Sequence, residues 1–219
     1  MTYIRVPGPG EDPFGHLGPT FVRLDEETAR RTLGTVLWTL DPWLFPMNWD
    51  EGPQRVRHLT LIRCPAYARL LHFLLVSRRG EQEAESWPWS RLLGDRASML
   101  GPDTRLREVV WECRDMIARE GLHVEPRVGE IVEDIARALA RVLAEHGGEP
   151  TCFFYYPSGL GFLPDRGTHV YRGPIRRVDT LRSTDGTFFW PTLWWPEDES
   201  WFVATHTDAT STYVGVRRP

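Results

Sequence analysis

Asp198, His206 and Asp208, near the C-terminal end of a 219-residue chain, are the side chains whose types and spacing come nearest to chemistry. Residues i and i+2 of a strand share a face, so Asp208 could orient the His206 imidazole. A pair of that kind serves as a general base or as one arm of a metal site. Asp198, near the end of an adjacent strand, could complete a small polar cleft. The ligand set is incomplete, because no HExxH, HxH or further carboxylate–histidine spacing occurs elsewhere. A turn aspartate capping backbone amides beside a surface histidine accounts for the same residues. Ser158 follows an apolar strand as a nucleophile elbow would, but the glycine two positions earlier is missing and no helical pattern comes after it. Gly159 and Gly161 likewise lack the third glycine and the helix of a phosphate loop. The chain shows no complete catalytic constellation, and neither cofactor nor metal is expected.

Composition narrows the chemistry further. All 26 basic residues are Arg. Without Lys the chain has no Schiff-base or pyridoxal chemistry, no Walker A lysine and no Ser–Lys pair. A net charge of −4 argues against a nucleic-acid binder, which needs a basic face to neutralise phosphates. Cys64, Cys113 and Cys152 lie far apart with no paired-ligand spacing, and read as buried free thiols of a reducing compartment. The first ten residues lack the apolar segment of a secretory leader. The longest apolar run, Leu70–Val76, is broken by His72 and too short for a bilayer. A cytoplasmic protein without membrane association is expected.

The elements that would position the candidate residues are legible as periodicities. Pro and Gly dominate residues 7–19, so residues 1–20 are expected to form a loose arm and 21–219 a single α+β domain. Asp25 reads as the N-cap of a helix over 26–40, with Glu26 and Glu27 suiting its positive end. Residues 41–53 read as a loop with aromatic anchors, and 56–63 as a strand. Residues 66–79 fit either a buried helix or a return strand, and the turn-like Cys64-Pro65-Ala66-Tyr67 favours strand. A polar insertion loop is expected around 80–104, with a short helical piece at 89–93. Two amphipathic helices follow. The first, 104–119, carries Leu106, Val109, Val110, Cys113 and Ile117 on one stripe, with Gly121 as its stop. The second, 127–146, carries Val128, Ile131, Ile135, Leu139, Val142 and Leu143. Thr151–Tyr156 has no polar face and reads as a buried strand. Further strands are expected at 168–171, 175–181, 187–190 after an Asp185-Gly186 turn, 201–207 and 212–217, the last two paired across 208–211. The class is α+β: a mainly antiparallel sheet, β-rich toward the C-terminus, with about three main helices packed on one face.

Residues 190–213 concentrate four of the ten Trp within twelve positions. Trp190 and Trp201 are expected to pack inward. Neighbours on a strand face opposite ways, so at least one of Trp194 and Trp195 is expected outward, as a sugar platform, a base-stacking site or a protein hot spot. The candidate binding set is Trp194, Trp195, Asp198, Trp201, His206, Asp208 and Tyr213. The run Leu193-Trp194-Trp195-Pro196-Glu197-Asp198-x-x-Trp201-x-Val203-Ala204-Thr205, continued by Asp208 and Ser211-Thr212-Tyr213-Val214-Gly215, resembles the tail of an uncharacterised, mostly actinobacterial protein family. Some members of that family are similar to immunity proteins of contact-dependent or polymorphic toxin systems, and the all-Arg composition suits that origin. The resemblance covers about 30 residues; family members read Val-Gly-Gly where this chain has Val214-Gly215-Val216. With the absence of a catalytic set, it points to a non-catalytic protein-interaction module, immunity-like or accessory, whose partner is another protein such as a toxin. The alternative is a small hydrolase or ligand-binding protein with a Trp-walled cleft lined by Asp198, His206 and Asp208. Arg166, Arg172, Arg176, Arg177 and Arg182 read as the solvated face of a hairpin or a site for an acidic partner. Glu81, Glu83 and Glu85 read as loop solvation or a contact for a basic one.

Overall fold

A strand with no polar face must be covered on both sides, and Thr151–Tyr156 is. The computed structural model describes residues 20–36, 64–101, 104–126, 133–156, 169–181, 191–205 and 211–217. Its strands are β1 (Val22–Arg23), β2 (Ala66–Leu71), β3 (Leu74–Arg78), β4 (Glu85–Trp87), β5 (Leu122–Pro126), β6 (Thr151–Tyr156), β7 (His169–Pro174), β8 (Leu193–Pro196), β9 (Trp201–Thr205) and β10 (Ser211–Val216). The helices are α1 (Glu26–Gly34), α2 (Trp89–Leu93), α3 (Leu106–Glu120) and α4 (Glu133–Gly147). Seven strands form one antiparallel sheet in the order β1-β7-β6-β8-β9-β10-β2, and three form a second, β4-β3-β5. The expected α+β class with a mainly antiparallel sheet is therefore what the structure shows.

Alternation along the strands builds two cores from one sheet. Cys152, Phe154, Tyr156, Trp194, Trp201, Val203 and Val214 turn to one face, where Ala140, Leu143 and Ala144 of α4 cover them. Tyr155, Trp195, Phe202, Ala204 and Tyr213 turn to the other, under Ala29 and Leu33 of α1 and Val36 just beyond it. The third core lies on the small sheet, where Leu74 and Val76 meet Trp89, Leu92 and Leu93 of α2 and Val109 and Cys113 of α3. The helices, expected together on one face, are thus distributed. A single helical layer would leave half of the aromatic strands in water.

Local chemistry explains the helix ends. Asp25 accepts the Thr28 N–H at 2.9 Å and caps α1. Gly121, at φ 62°, stops α3 in the left-handed conformation that glycine adopts without strain. Three expectations need correction. Ile175–Leu181 is not a strand: residues 175–180 form a 3₁₀ turn, because Ile175, Val178 and Leu181 recur every third residue and all three are fully buried. On α4 the buried stripe is Ala136, Ala140, Leu143 and Ala144, while Val142 is exposed; small residues let the helix approach the indoles closely. The short helix expected at 89–93 is α2, but the polar segment around it is more than a loop, since it also holds β4 and a 3₁₀ turn at 94–99. Residues 66–79 are strands, but β2 and β3 belong to different sheets. The expected arm over residues 1–19, the loop at 41–53, the strands at 56–63 and 187–190, Trp190, and Ser158 with Gly159 and Gly161 all lie outside the described residues.

Gly215 marks the tightest packing between layers. A Cβ there would sit 2.4 Å from the Phe202 ring and 2.9 Å from Cys64 Sγ. Gly215→Ala is expected to cost about 1–3 kcal/mol by overpacking. Gly34→Ala, whose methyl meets nothing within 4 Å, is expected to be neutral or stabilising by about 0.5–1 kcal/mol. Urea unfolding of the two variants checks this, and equal effects would contradict the packing.

Candidate functional site

Among the described residues the sequence-derived binding set does not converge. Trp194, Trp195 and Trp201 are at most 1% exposed and Tyr213 2%, so the outward tryptophan expected of the 194–195 pair is absent. The reason is the position of β8, fourth of seven strands: both of its faces are core. Trp194 stacks on Phe154 at 5.9 Å and meets Trp201 edge-on at 5.8 Å. Trp195 lies 5.5 Å from Phe153 on the opposite side. Asp198 is exposed in the β8–β9 turn, where its Oδ1 accepts the Ser200 N–H at 3.0 Å, a turn-capping role. His206 and Asp208 lie outside the described residues.

At the Thr205 end, polar groups collect between the two sheets. Thr212 is paired with Thr205 in the β9–β10 register and with Leu70 in the β10–β2 register. The two threonine hydroxyls are hydrogen-bonded to each other, and Thr212 Oγ1 lies 3.0 Å from His72 Nε2. His72 stands where the chain leaves β2 for β3, and its carbonyl accepts the Trp89 indole N–H at 2.7 Å. Arg69 donates to Ser211 Oγ at 2.9 Å and to the Thr104 carbonyl at 2.6 Å, beside the Tyr213 ring. A hydroxyl next to an imidazole has the makeup of an activated nucleophile. Here Thr212 is 0% and His72 4% exposed, so the pair is sealed from substrate and fastens the large sheet to the α2–α3 unit. None of these five polar residues was singled out from sequence. The available signals were His72 interrupting an apolar run, and Thr205 with Ser211-Thr212-Tyr213 inside the tail pattern.

Three of the remaining charged candidates are engaged in ion pairs. Arg172 pairs with Glu197 at 2.6 Å and Arg176 with Glu149 at 2.8 Å, whereas Arg166 and Arg182 lie outside the described residues. Glu85 accepts the Trp87 indole N–H at 2.8 Å and pairs with Arg91; both contacts, the indole first, hold its carboxyl below the usual range. Among the described residues no group of three or more His, Cys, Asp or Glu is placed to hold a metal, and no helix is long and apolar enough to cross a membrane. All three cysteines are free and buried. Burial pushes the Cys64 thiol from its ordinary 9.0 to about 11 and raises Cys113 and Cys152 as well.

The outer side of α3 reaches solvent. Trp89, Trp194, Trp195 and Trp201 are buried, while Trp111 is 64% exposed. The Arg114 guanidinium lies over its ring at 4.4 Å. Beside it is an open depression of about 370 Å³ lined by Arg107, Glu108, Trp111 and Glu112. Comparison of the chain with protein-family models, with curated proteins and with solved structures finds no match.

Two outcomes follow. Thr212→Val is expected to cost about 1–3 kcal/mol, because it removes a buried hydrogen-bond partner of both Thr205 and His72. Adding Thr205→Val should then cost less than it does alone, which a double-mutant cycle measures. The Cys64 thiol is held protonated in the folded state, so its contribution to stability is full below pH 9.0 and falls as pH rises toward about 11. At pH 8 a thiol-reactive dye should label the native chain slowly and all three cysteines after unfolding; a fast-labelling native thiol would contradict the burial.

Proposed function

We propose that this chain is a non-catalytic protein-interaction module, immunity-like or accessory, working in the cytoplasm on another protein chain. The observation that carries the reading is Trp111, an indole left in water on a helix and stacked by an arginine, where Trp89, Trp194, Trp195 and Trp201 are buried. Trp and Arg are the side chains most enriched among residues that dominate protein-binding energy. The reading moves the contact surface away from Trp194 and Trp195 to the α3 face. The tail resemblance supports the immunity-like kinship. The cleft of the hydrolase alternative draws no support from Trp194, Trp195 and Trp201, which are core, or from Asp198, which caps a turn.

The test compares wild type with Trp111→Ala as baits in host extract, with partners identified by mass spectrometry. The variant should keep the wild-type melting temperature, because the ring belongs to no buried cluster, and should lose the specific partner. A partner retained equally by the variant would remove the α3 face from the binding role.

A further inference from the structure

We infer that the α3 face is occupied by a second copy of this chain, paired parallel about a two-fold axis that runs along the helices. The inference rests on the reading of α3 as the contact surface and names what covers it. At 3.6 residues per turn, Arg107 and Arg114 fall roughly 40° and 60° to one side of Trp111, and Asp115 and Glu108 roughly 40° and 60° to the other. The face is a basic row and an acidic row divided by an indole ridge. All four charged side chains are exposed. Among the described residues Arg107 has no ion pair. Arg114 lies over the Trp111 ring at 4.4 Å, donates to the Trp111 carbonyl at 3.1 Å and pairs with its neighbour Asp115 at 3.6 Å; its side chain stays half exposed and the carboxylate is 90% exposed. Glu108 uses one oxygen to accept the Arg105 N–H at 3.0 Å and keeps the other. Glu112, further round the helix, lies 3.6 Å from Arg96.

Symmetry then selects the arrangement. A two-fold axis parallel to the helices turns the basic row of one copy against the acidic row of the other. Arg107 comes level with the partner's Glu108 and Arg114 with the partner's Asp115, each offset by one residue, about 1.5 Å along the axis. The two indoles meet at the axis, and all four charge contacts are opposite in sign. An axis perpendicular to the helices gives antiparallel pairing and sets basic row on basic row, with Arg107 against the partner's Arg114. The parallel contact is isologous and closes at two copies. One helix about 22 Å long offers less than a standard interface, so the dimer is weak and salt-sensitive.

Sedimentation equilibrium of the full chain tests this. The mass should rise from 25.3 kDa toward twice that value as concentration approaches about 1 mM, and less so at high salt. Arg114→Glu and Asp115→Arg should each raise the dissociation constant about tenfold, and neither disturbs the Glu108 cap. The double variant Arg114→Glu/Asp115→Arg, and an equimolar mixture of the two single variants, should both regain wild-type association. A chain that stays monomeric, a dimer indifferent to both substitutions, or a mixture that fails to recover would each overturn the proposal. If the chain is monomeric yet captures a protein through Trp111, the interaction reading stands and the second copy is wrong. A monomer whose capture ignores Trp111 ends both.

Discussion

Trp194 and Trp195 are adjacent in sequence and point to opposite sides of the strand in the middle of the seven-stranded order, and each is sealed by a different layer. Burying two indoles back to back removes several hundred Å² of apolar surface from water, far more than a pair of aliphatic side chains would. The arrangement holds only if both sides of the sheet are roofed. On one side the roof is α4, whose alanines let its backbone come close to Trp194 and Trp201. On the other it is the short α1, held at its start by Asp25. Gly173 and Gly215 answer the same demand, since a methyl at either would collide with an aromatic ring, Phe21 or Phe202.

A second constraint is polar. The chain passes from β2 to β3 through His72 without a long loop, so the two sheets share a continuous backbone. Buried polar groups are costly unless paired, and here the pairing is reciprocal: Thr205, Thr212 and His72 on one side, Arg69 with Ser211 and the Thr104 carbonyl on the other. Apolar packing tolerates sliding, whereas hydrogen bonds of defined length do not. The cluster therefore sets where the α2–α3 unit, and with it Trp111, stands relative to the large sheet.

Much of this was legible in the sequence, and the failures have physical causes. Asp25, Gly121, the strand Thr151–Tyr156 and the pairing of the last two strands follow from local rules that tertiary context does not override. Thr151–Tyr156 was read as two-sided because six residues showed no polar face. The same logic applied to Leu193-Trp194-Trp195-Pro196 would have placed it in the interior, but flanking prolines and the polar tip of indole suggested a loop. In Ile175–Leu181 the apolar residues recur every third position, a period that a short segment bounded by Gly173-Pro174 hides behind its strand-like composition. Trp111 sits in an amphipathic helix whose inward stripe is the stronger pattern; its angle on the helix, opposite Val109 and Cys113, is the sign of its exposure. The hydroxyl–imidazole cluster depends on residues about 140 positions apart, and no local pattern reports such a meeting.

The pairing of β2 with β10 also constrains the order of events during synthesis. β2 emerges early and cannot take its place until residues 211–216 have left the ribosome, which at about 5–20 residues per second is a wait of many seconds. Until then β6 and β8 expose aromatic side chains that have only part of their sheet to lie in. β3, β4, α2, α3 and β5 are contiguous in the chain and mostly contact one another, so this unit can form while the large sheet is still incomplete. The nascent chain thus carries an early-folding segment ahead of a late-closing one, and the interval between them is when the aromatic strands are most exposed to wrong partners.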